Sequence, residues 1–275
     1  MTTGTTLRLR RIWKHERTVI IPFDHGQYGG VPDGLEYPER LTEQIASTPA
    51  DAVLVTPGVL SRIAPFLGSL GVVLRLDGAF TKYSPSAGDY ETVCTVPDAV
   101  RLGADAGIVF TFVGTEFDAA SLARLGGVSQ EAEQWGLPLA SEVLAPSLLD
   151  NHFERKIFKA AGGESLEEET TTVARIAAEH GAQIVKTRYS GSIDAFKRTV
   201  ETCGAKVIVA GGPVGADKSD EGLLKLAHDT VQAGAAGIVF GRSVWQSPNM
   251  KKLIQALCAI VHEGATVASA SKLLK

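Results

Sequence analysis

The chain has 275 residues, of which 44% are apolar and 21% charged, and its formal net charge is −4. That length is too great for one small sandwich and fits a single α/β barrel or two small domains, while the ordinary composition excludes a disordered polymer. The slight negative charge leaves no basic footprint for nucleic acid, and no apolar run of about 18 residues offers a membrane span.

The start, MTTGTTLRLRRIWKHERT, is basic and Thr-rich and lacks the apolar core and small-residue cleavage site of a secretory signal. Residues 1–16 are expected as a strap over one end of the fold. From there, short apolar runs alternate with stretches of helical spacing. Strands are expected at 18–24, 51–56, 72–78, 107–113, 137–144, 182–187, 206–212 and 237–242. Helices are expected at 38–48, 58–69, 97–105, 117–135, 166–180, 192–203, 220–233 and 250–262. Pro97-Asp98 and Ser219-Asp220-Glu221 are helix start signals, and Gly103, Gly136, Gly181, Gly204 and Gly234 follow helix ends. The strands read as nearly continuous apolar runs, as when both faces are buried. Eight strand–helix repeats predict one single-domain (β/α)8 TIM barrel over residues 1–275. The one extended connection, 146–165, has room for a short extra helix. Cys94, Cys203 and Cys258 are scattered, odd in number and without C-x-x-C spacing, which predicts reduced thiols in a cytoplasmic protein.

Barrels of this kind place chemistry at the C-terminal ends of their strands. Lys186 ends strand 6, and alternation puts it on the face of Ile184, opposite Val185. A desolvated amine there is a nucleophile that forms a Schiff base with a carbonyl. The competing reading is a rim lysine paired with Asp24 or Glu142. Asp24 ends strand 1 and is either a proton-transfer carboxylate or a partner for the lysine. His25 is a candidate hydrogen-bond partner for a substrate oxygen. Gly211-Gly212 after strand 7 and Gly241-Arg242 after strand 8 lie where this fold holds phosphate, and their bland reading is tight turns. The side taken by Asp77 at the end of strand 3 is open, since Arg75 shares its parity, and Tyr189 stands just beyond Lys186.

Four stretches, IPFDHGQYGG, IVKTRYSG, VIVAGGP and GIVFGRSVWQ, in this order, resemble the family of archaeal-type class I fructose-bisphosphate aldolases (DeoC/FbaB-like). 2-Amino-3,7-dideoxyheptulosonate synthase and LsrF-type thiolases are relatives within it. The resemblance spans about residues 17–265. It implies a Schiff-base lysine at Lys186, an acid–base aspartate at Asp24 and a substrate-contacting histidine at His25. It also implies phosphate contacts at Gly211, Gly212, Gly241 and Arg242. No metal or other cofactor is expected, because the iminium does the electrophilic work. Many such proteins assemble as rings, often decamers, so a homo-oligomer is expected. One departure stands out: the aldolases carry a proton-transferring tyrosine near the end of strand 5, and this chain has Leu144 there. Glu142 shares that side and is expected either to take the acid–base role, with a pKa raised by burial, or to pair with Lys186. The expected activity is a class I aldolase or transaldolase acting on a phosphorylated ketose or a dihydroxyacetone phosphate-like donor with an aldehyde acceptor. The alternatives are thiolase-like acyl transfer to coenzyme A and a non-catalytic sugar-phosphate-binding barrel.

Overall fold

The structure is a computed structural model that describes residues 2–78, 80–85, 88, 90–153, 158–159, 161–211 and 219–275. Eight strands carry the fold. They are β1 (Thr18–Pro22), β2 (Ala52–Val55), β3 (Gly71–Arg75), β4 (Ala106–Thr111), β5 (Leu139–Val143), β6 (Ile184–Thr187), β7 (Lys206–Ala210) and β8 (Gly237–Val239). They close into one parallel barrel in the order β1-β8-β7-β6-β5-β4-β3-β2. A helix follows each strand in turn: α2 (Pro38–Ala46), α3 (Pro57–Ile63), α4 (Val96–Arg101), α5 (Asp118–Trp135), α6 (Leu166–Glu179), α7 (Ile193–Cys203), α8 (Asp220–Gln232) and α9 (Met250–Glu263). None of the described helices is long and apolar enough to cross a membrane.

The strand pleat sorts side chains between two cores. Ile20, Leu54, Val73, Ile108, Ile184 and Ile208 fill the barrel interior. Their neighbours Ile21, Val53, Leu74, Val109, Val185 and Val209 face the helices. Each such aliphatic side chain contributes about 1.5–3 kcal/mol on burial. Local signals set the helix ends. Ser165 and Glu168 form a capping box on α6, and Ser192 and Ser219 cap α7 and α8. Gly136 and Gly204 close α5 and α7 in the left-handed region that side chains resist.

The N-terminal segment is helical, where no helix was expected. α1 (Thr3–Ile12) starts on Thr2, whose hydroxyl accepts from the Thr5 N–H at 3.2 Å. It sits against the N-terminal end of the barrel. Ile12 is buried in the interior cluster, Arg11 Nε lies 2.8 Å from Asp105 Oδ1, and Thr18 Oγ1 donates to the Ile12 carbonyl at 2.7 Å. At the same end His262 Nε2 lies 2.7 Å from Asp51 Oδ2, which also accepts from the Val19 N–H. This contact ties α9 to the start of β2.

Three expected elements differ. Strand 3 leaves the barrel at Arg75, and Asp77–Gly78 instead pairs antiparallel with Glu91–Thr92 as a two-stranded ribbon. The third helix ends at Ile63 and passes into a tighter 3-10 turn over Ala64–Phe66, because Pro65 cannot continue the α-helical bonding. Strand 8 ends at Val239, and Arg242 opens a short helix to Trp245. The long connection after β5 does carry short helical segments, Pro146–Leu148 and Leu149–Phe153.

Candidate active site

One inward position above the apolar interior, the barrel turns charged. Asp24 follows Ile20 on the same face beyond β1, Arg75 follows Val73, Glu142 follows Ala140, and Lys186 follows Ile184. All four are buried, Lys186 being 6% exposed and Glu142 2%. The β5–β6 register sets Glu142 and Lys186 side by side as partners. Lys186 Nζ lies 2.7 Å from Glu142 Oε1. The other Glu142 oxygen takes a charge-assisted hydrogen bond from Arg75 Nη2. Arg75 Nε donates to Asp24 Oδ2 at 3.0 Å, and Arg75 Nη1 lies 3.5 Å from Asp77 Oδ1. Asp77 Oδ2 in turn accepts from the Phe110 N–H at 2.6 Å.

Electrostatics follow from this wiring. Burial alone would raise Glu142, but the Lys186 ammonium and the Arg75 guanidinium outweigh it and hold the carboxyl well below the usual range. This corrects the expectation of a raised Glu142: in the resting site it is the ionised partner of the lysine. Burial works against the Arg75 charge, yet Asp24, Glu142 and Asp77 together lift its pKa above the ordinary value. Asp77 is pushed up to about 6 by burial, against the pull of Arg75 and the Phe110 N–H.

His25 adjoins Asp24, with Nδ1 3.7 Å from Asp24 Oδ1, beyond hydrogen-bond reach. That Nδ1 is buried without a partner among the described residues. Burial lowers its pKa to about 4, aided by Lys186 and Arg242 against Asp24, so the ring is neutral near pH 7. The β8 end closes on it. Trp245 Nε1 donates to the Pro22 carbonyl at 3.0 Å, and a Cβ at Gly241 would meet His25 Cε1 at 2.9 Å. Only glycine permits that approach.

The expected phosphate residues fare unequally. Arg242 lines a cavity of about 240 Å³ with Tyr28, Phe80, Lys82 and His152. Gly211 directly follows β7, but its N–H already donates to the Val239 carbonyl at 3.0 Å, so that backbone donor is engaged in the sheet. Gly212 lies outside the described residues. A second cavity, of about 360 Å³, opens beside Asp24 and Arg75 toward Gln27, Thr56 and Arg62. A larger cleft of about 570 Å³ lies between α2 and α9, lined by Tyr37, Arg40, Trp245 and Met250.

Four residues of the site were not singled out from the sequence. Arg75 was left ambiguous, although its parity with the interior Val73 was a usable signal. Tyr28 and His152 stand on helical segments of only four and five residues, Gly26–Gly29 and Leu149–Phe153, and Arg188 on a loop, so periodicity carries no information at any of them. Tyr28 reaches between His25 and His152, with ring centroids 5.9 and 6.2 Å away. Arg188 Nη2 lies 3.2 Å from His152 Nδ1. Burial lowers His152 to about 3, against the pull of Glu142. Leu144 is fully buried in an aromatic cluster with Phe110, Phe112 and Phe153. Tyr189 packs 5.3 Å from Phe196, on the helix side rather than over Lys186.

Among the described residues, one group of metal-ligand side chains comes together, His15, Asp51 and His262, at the barrel end opposite Lys186. At the charged end the Lys186 amine lies beside one carboxylate, Glu142, with which it can exchange a proton.

Residues 18–247 match the family model described as DeoC/LacD family aldolase. The chain is 34% identical to 2-amino-3,7-dideoxy-D-threo-hept-6-ulosonate synthase of Halobacterium salinarum, over 95% of this chain and 93% of the relative. It is 30% identical to 3-hydroxy-5-phosphonooxypentane-2,4-dione thiolase of Yersinia pseudotuberculosis, over 98% of this chain and 86% of the relative. The fold superposes on a crystal structure of an archaeal fructose 1,6-bisphosphate aldolase with a TM-score of 0.80 at 28% identity, covering 94% of this chain and all of the other (100%). It superposes equally on a structure of such an aldolase whose catalytic lysine is covalently bound to the carbinolamine intermediate, with a TM-score of 0.79 at 27% identity over 94% of this chain and 99% of the other.

Proposed function

The chain belongs to the DeoC/LacD aldolase family, a family of carbon–carbon lyases, and from that premise we propose that it joins or cleaves a phosphorylated ketone donor, of the dihydroxyacetone phosphate kind, and an aldehyde acceptor through a Schiff base on Lys186. The observation that carries this reading is the buried Lys186 amine, inside the barrel and 2.7 Å from a carboxylate. Glu142 takes the ammonium proton, and the freed amine attacks the donor carbonyl. The carbinolamine hydroxyl then leaves as water, protonated by the Glu142 carboxyl that took the ammonium proton. The iminium then withdraws electrons, so a neighbouring C–H gives its proton to the Asp24 carboxylate, and the resulting enamine carbon attacks the aldehyde, whose oxygen takes that proton back. Water returns the amine and releases the product. In this scheme His25, neutral at pH 7, holds a substrate oxygen, and Arg242 faces the donor phosphate.

A second reading, acyl transfer to coenzyme A, draws on the Yersinia thiolase and on Leu144, a side chain that cannot move a proton. A coenzyme A-dependent product from a phosphorylated diketone decides for it. Assembly as a homo-oligomeric ring is part of the proposal, and light scattering in solution tests it.

The defining experiment is borohydride reduction in the presence of dihydroxyacetone phosphate, followed by peptide mass mapping. The expected result is a donor-sized mass increase on the peptide holding Lys186. Lys186→Arg, which keeps the charge beside Glu142, is expected to fold with an unchanged circular dichroism spectrum and to lose both adduct and turnover. Turnover retained in that variant overturns the assignment.

A further inference from the structure

The loop after β6 holds a cation with no evident structural duty. Arg188 stands two residues beyond Lys186, half-buried, and makes no ion pair among the described residues. Among the described residues it bonds the His152 ring, at 3.2 Å. His152 is itself neutral, so it offsets none of the charge. Among the described residues, Arg188 Nε is buried without a partner, and so is Ser190 Oγ two residues on. Burial disfavours the guanidinium charge, and the Glu142 carboxylate that favours it is already shared by Lys186 and Arg75; buried polar atoms are rarely left unsatisfied. Repulsion from Arg242 disfavours the charge further. An anion that accepts from the guanidinium supplies both the missing charge and a partner for Nε.

Topology says which end of a substrate this anion belongs to. The strand order runs β8-β7-β6-β5. Donor phosphate is assigned above to the β8 side of Lys186, through Arg242. Arg188 follows β6, the lysine's own strand, and turns toward His152, which follows β5, on the side of the lysine away from β8. His152 opens onto the same cavity as Arg242 and Tyr28. A donor anchored by its phosphate near β8, with its carbonyl at Lys186, leaves the β5 side to the second substrate.

We propose that Arg188, oriented by His152, is an anion subsite for the acceptor, so that the aldehyde carries a carboxylate or a phosphate. The inference rests on the Schiff-base reading and deepens it.

The test uses dihydroxyacetone phosphate as donor and three acceptors: succinate semialdehyde, glyceraldehyde 3-phosphate and uncharged glyceraldehyde. The wild type is expected to favour one anionic acceptor over glyceraldehyde by about 10- to 100-fold in kcat/KM, the range of one or two charge-assisted bonds. The anionic acceptor that shows the preference identifies carboxylate or phosphate. Arg188→Gln is expected to collapse that ratio to within about 3-fold, and Arg188→Lys to restore part of it. Equal use of charged and neutral acceptors by the wild type overturns the proposal. A rise in donor KM in Arg188→Gln with the acceptor ratio intact also overturns it, since Arg188 then serves the donor phosphate. Borohydride trapping of the donor on the wild type separates the two levels. A trapped adduct without acceptor preference sinks the subsite and leaves the aldolase standing. If nothing is trapped the aldolase reading falls, and calorimetric titration of the two anionic aldehydes decides the subsite by itself: binding lost in Arg188→Gln supports it, and equal binding refutes it. Circular dichroism and the Arg188→Lys variant guard against a merely unfolded protein.

Discussion

Arg75 sets one positive charge against three carboxylates, Asp24, Asp77 and Glu142, and all four groups are buried. Lys186 shares Glu142, and Arg124 Nε approaches Asp77 Oδ2 at 3.8 Å, so the charges nearly balance only as a complete set. Removing one member of a buried charged set leaves its partners uncompensated, typically at a cost of about 3–5 kcal/mol. Arg75→Met should therefore lose that much stability in urea unfolding at pH 7, although it keeps an unbranched apolar stem. The loss should shrink below about pH 5, where the orphaned carboxylates can take up protons. A variant within about 1 kcal/mol of wild type at both pH values would show that the network contributes little. Lys186, Asp24 and Glu142 were legible in the sequence because strand alternation places each on the inward face at a strand end. Arg75 was not, because parity says which way a side chain points but not which strands lie opposite. A guanidinium shared by β1, β3 and β5 exists only after the barrel closes.

The elements themselves were legible wherever the code is local. Strand–helix alternation, Pro and Ser at helix starts and Gly at helix ends returned the eight repeats with shifts of a few residues. What escaped was long-range. The ribbon that takes Asp77–Gly78 out of strand 3 pairs with residues more than a dozen positions later, and nothing in LRLDGAF announces that partner. α1 was missed for a related reason: TGTTLRLRRI has weak helical patterning, and its order comes from packing against the finished barrel. Gly71 makes that packing possible. A Cβ there would lie 2.6 Å from the Arg11 carbonyl oxygen, closer than side chains come to backbone. Gly71→Ala should push α1 off the barrel end and cost about 1–3 kcal/mol, the usual penalty of overpacking. Amide exchange should rise in residues 3–12 first, while the barrel strands stay protected. Unchanged protection of α1 in that variant would mean that β3 yields instead and that the helix is held by Ile12 and Arg11 alone.

At the scale of the whole molecule, the interior is an apolar plug at one end and a layer of ionisable groups at the other, so stability is tied to pH at the active end. Of the shifted groups there, His25, His152 and Asp77 govern the range between about pH 4.5 and 6, and Glu142, held low by its cations, adds to the same trend only below about pH 5. His25, at about 4, and His152, at about 3, are lowered by burial, so the folded protein refuses protons that the unfolded chain accepts below about pH 6.5. That contribution is fully present above pH 6.5 and is lost as pH falls toward the folded values. Asp77 works the opposite way. Burial raises it to about 6, so between its unfolded value of 3.8 and about 6 the folded state holds a proton that the unfolded chain has released. Its contribution therefore weakens as pH rises through that window. Two protons favour the unfolded state and one the folded state, so one net proton remains, and stability should climb with pH between about 4.5 and 6. The slope should be on the order of 1 kcal/mol per pH unit. Urea unfolding at half-unit intervals measures it. Asp77→Asn removes the opposing group, so the same window should steepen toward the two-proton slope set by the histidines. A wild-type curve that is flat or falls with pH would mean that the imidazoles take up protons in the folded barrel, and the neutral His25 assigned above to a substrate oxygen would have to be replaced by a cationic one.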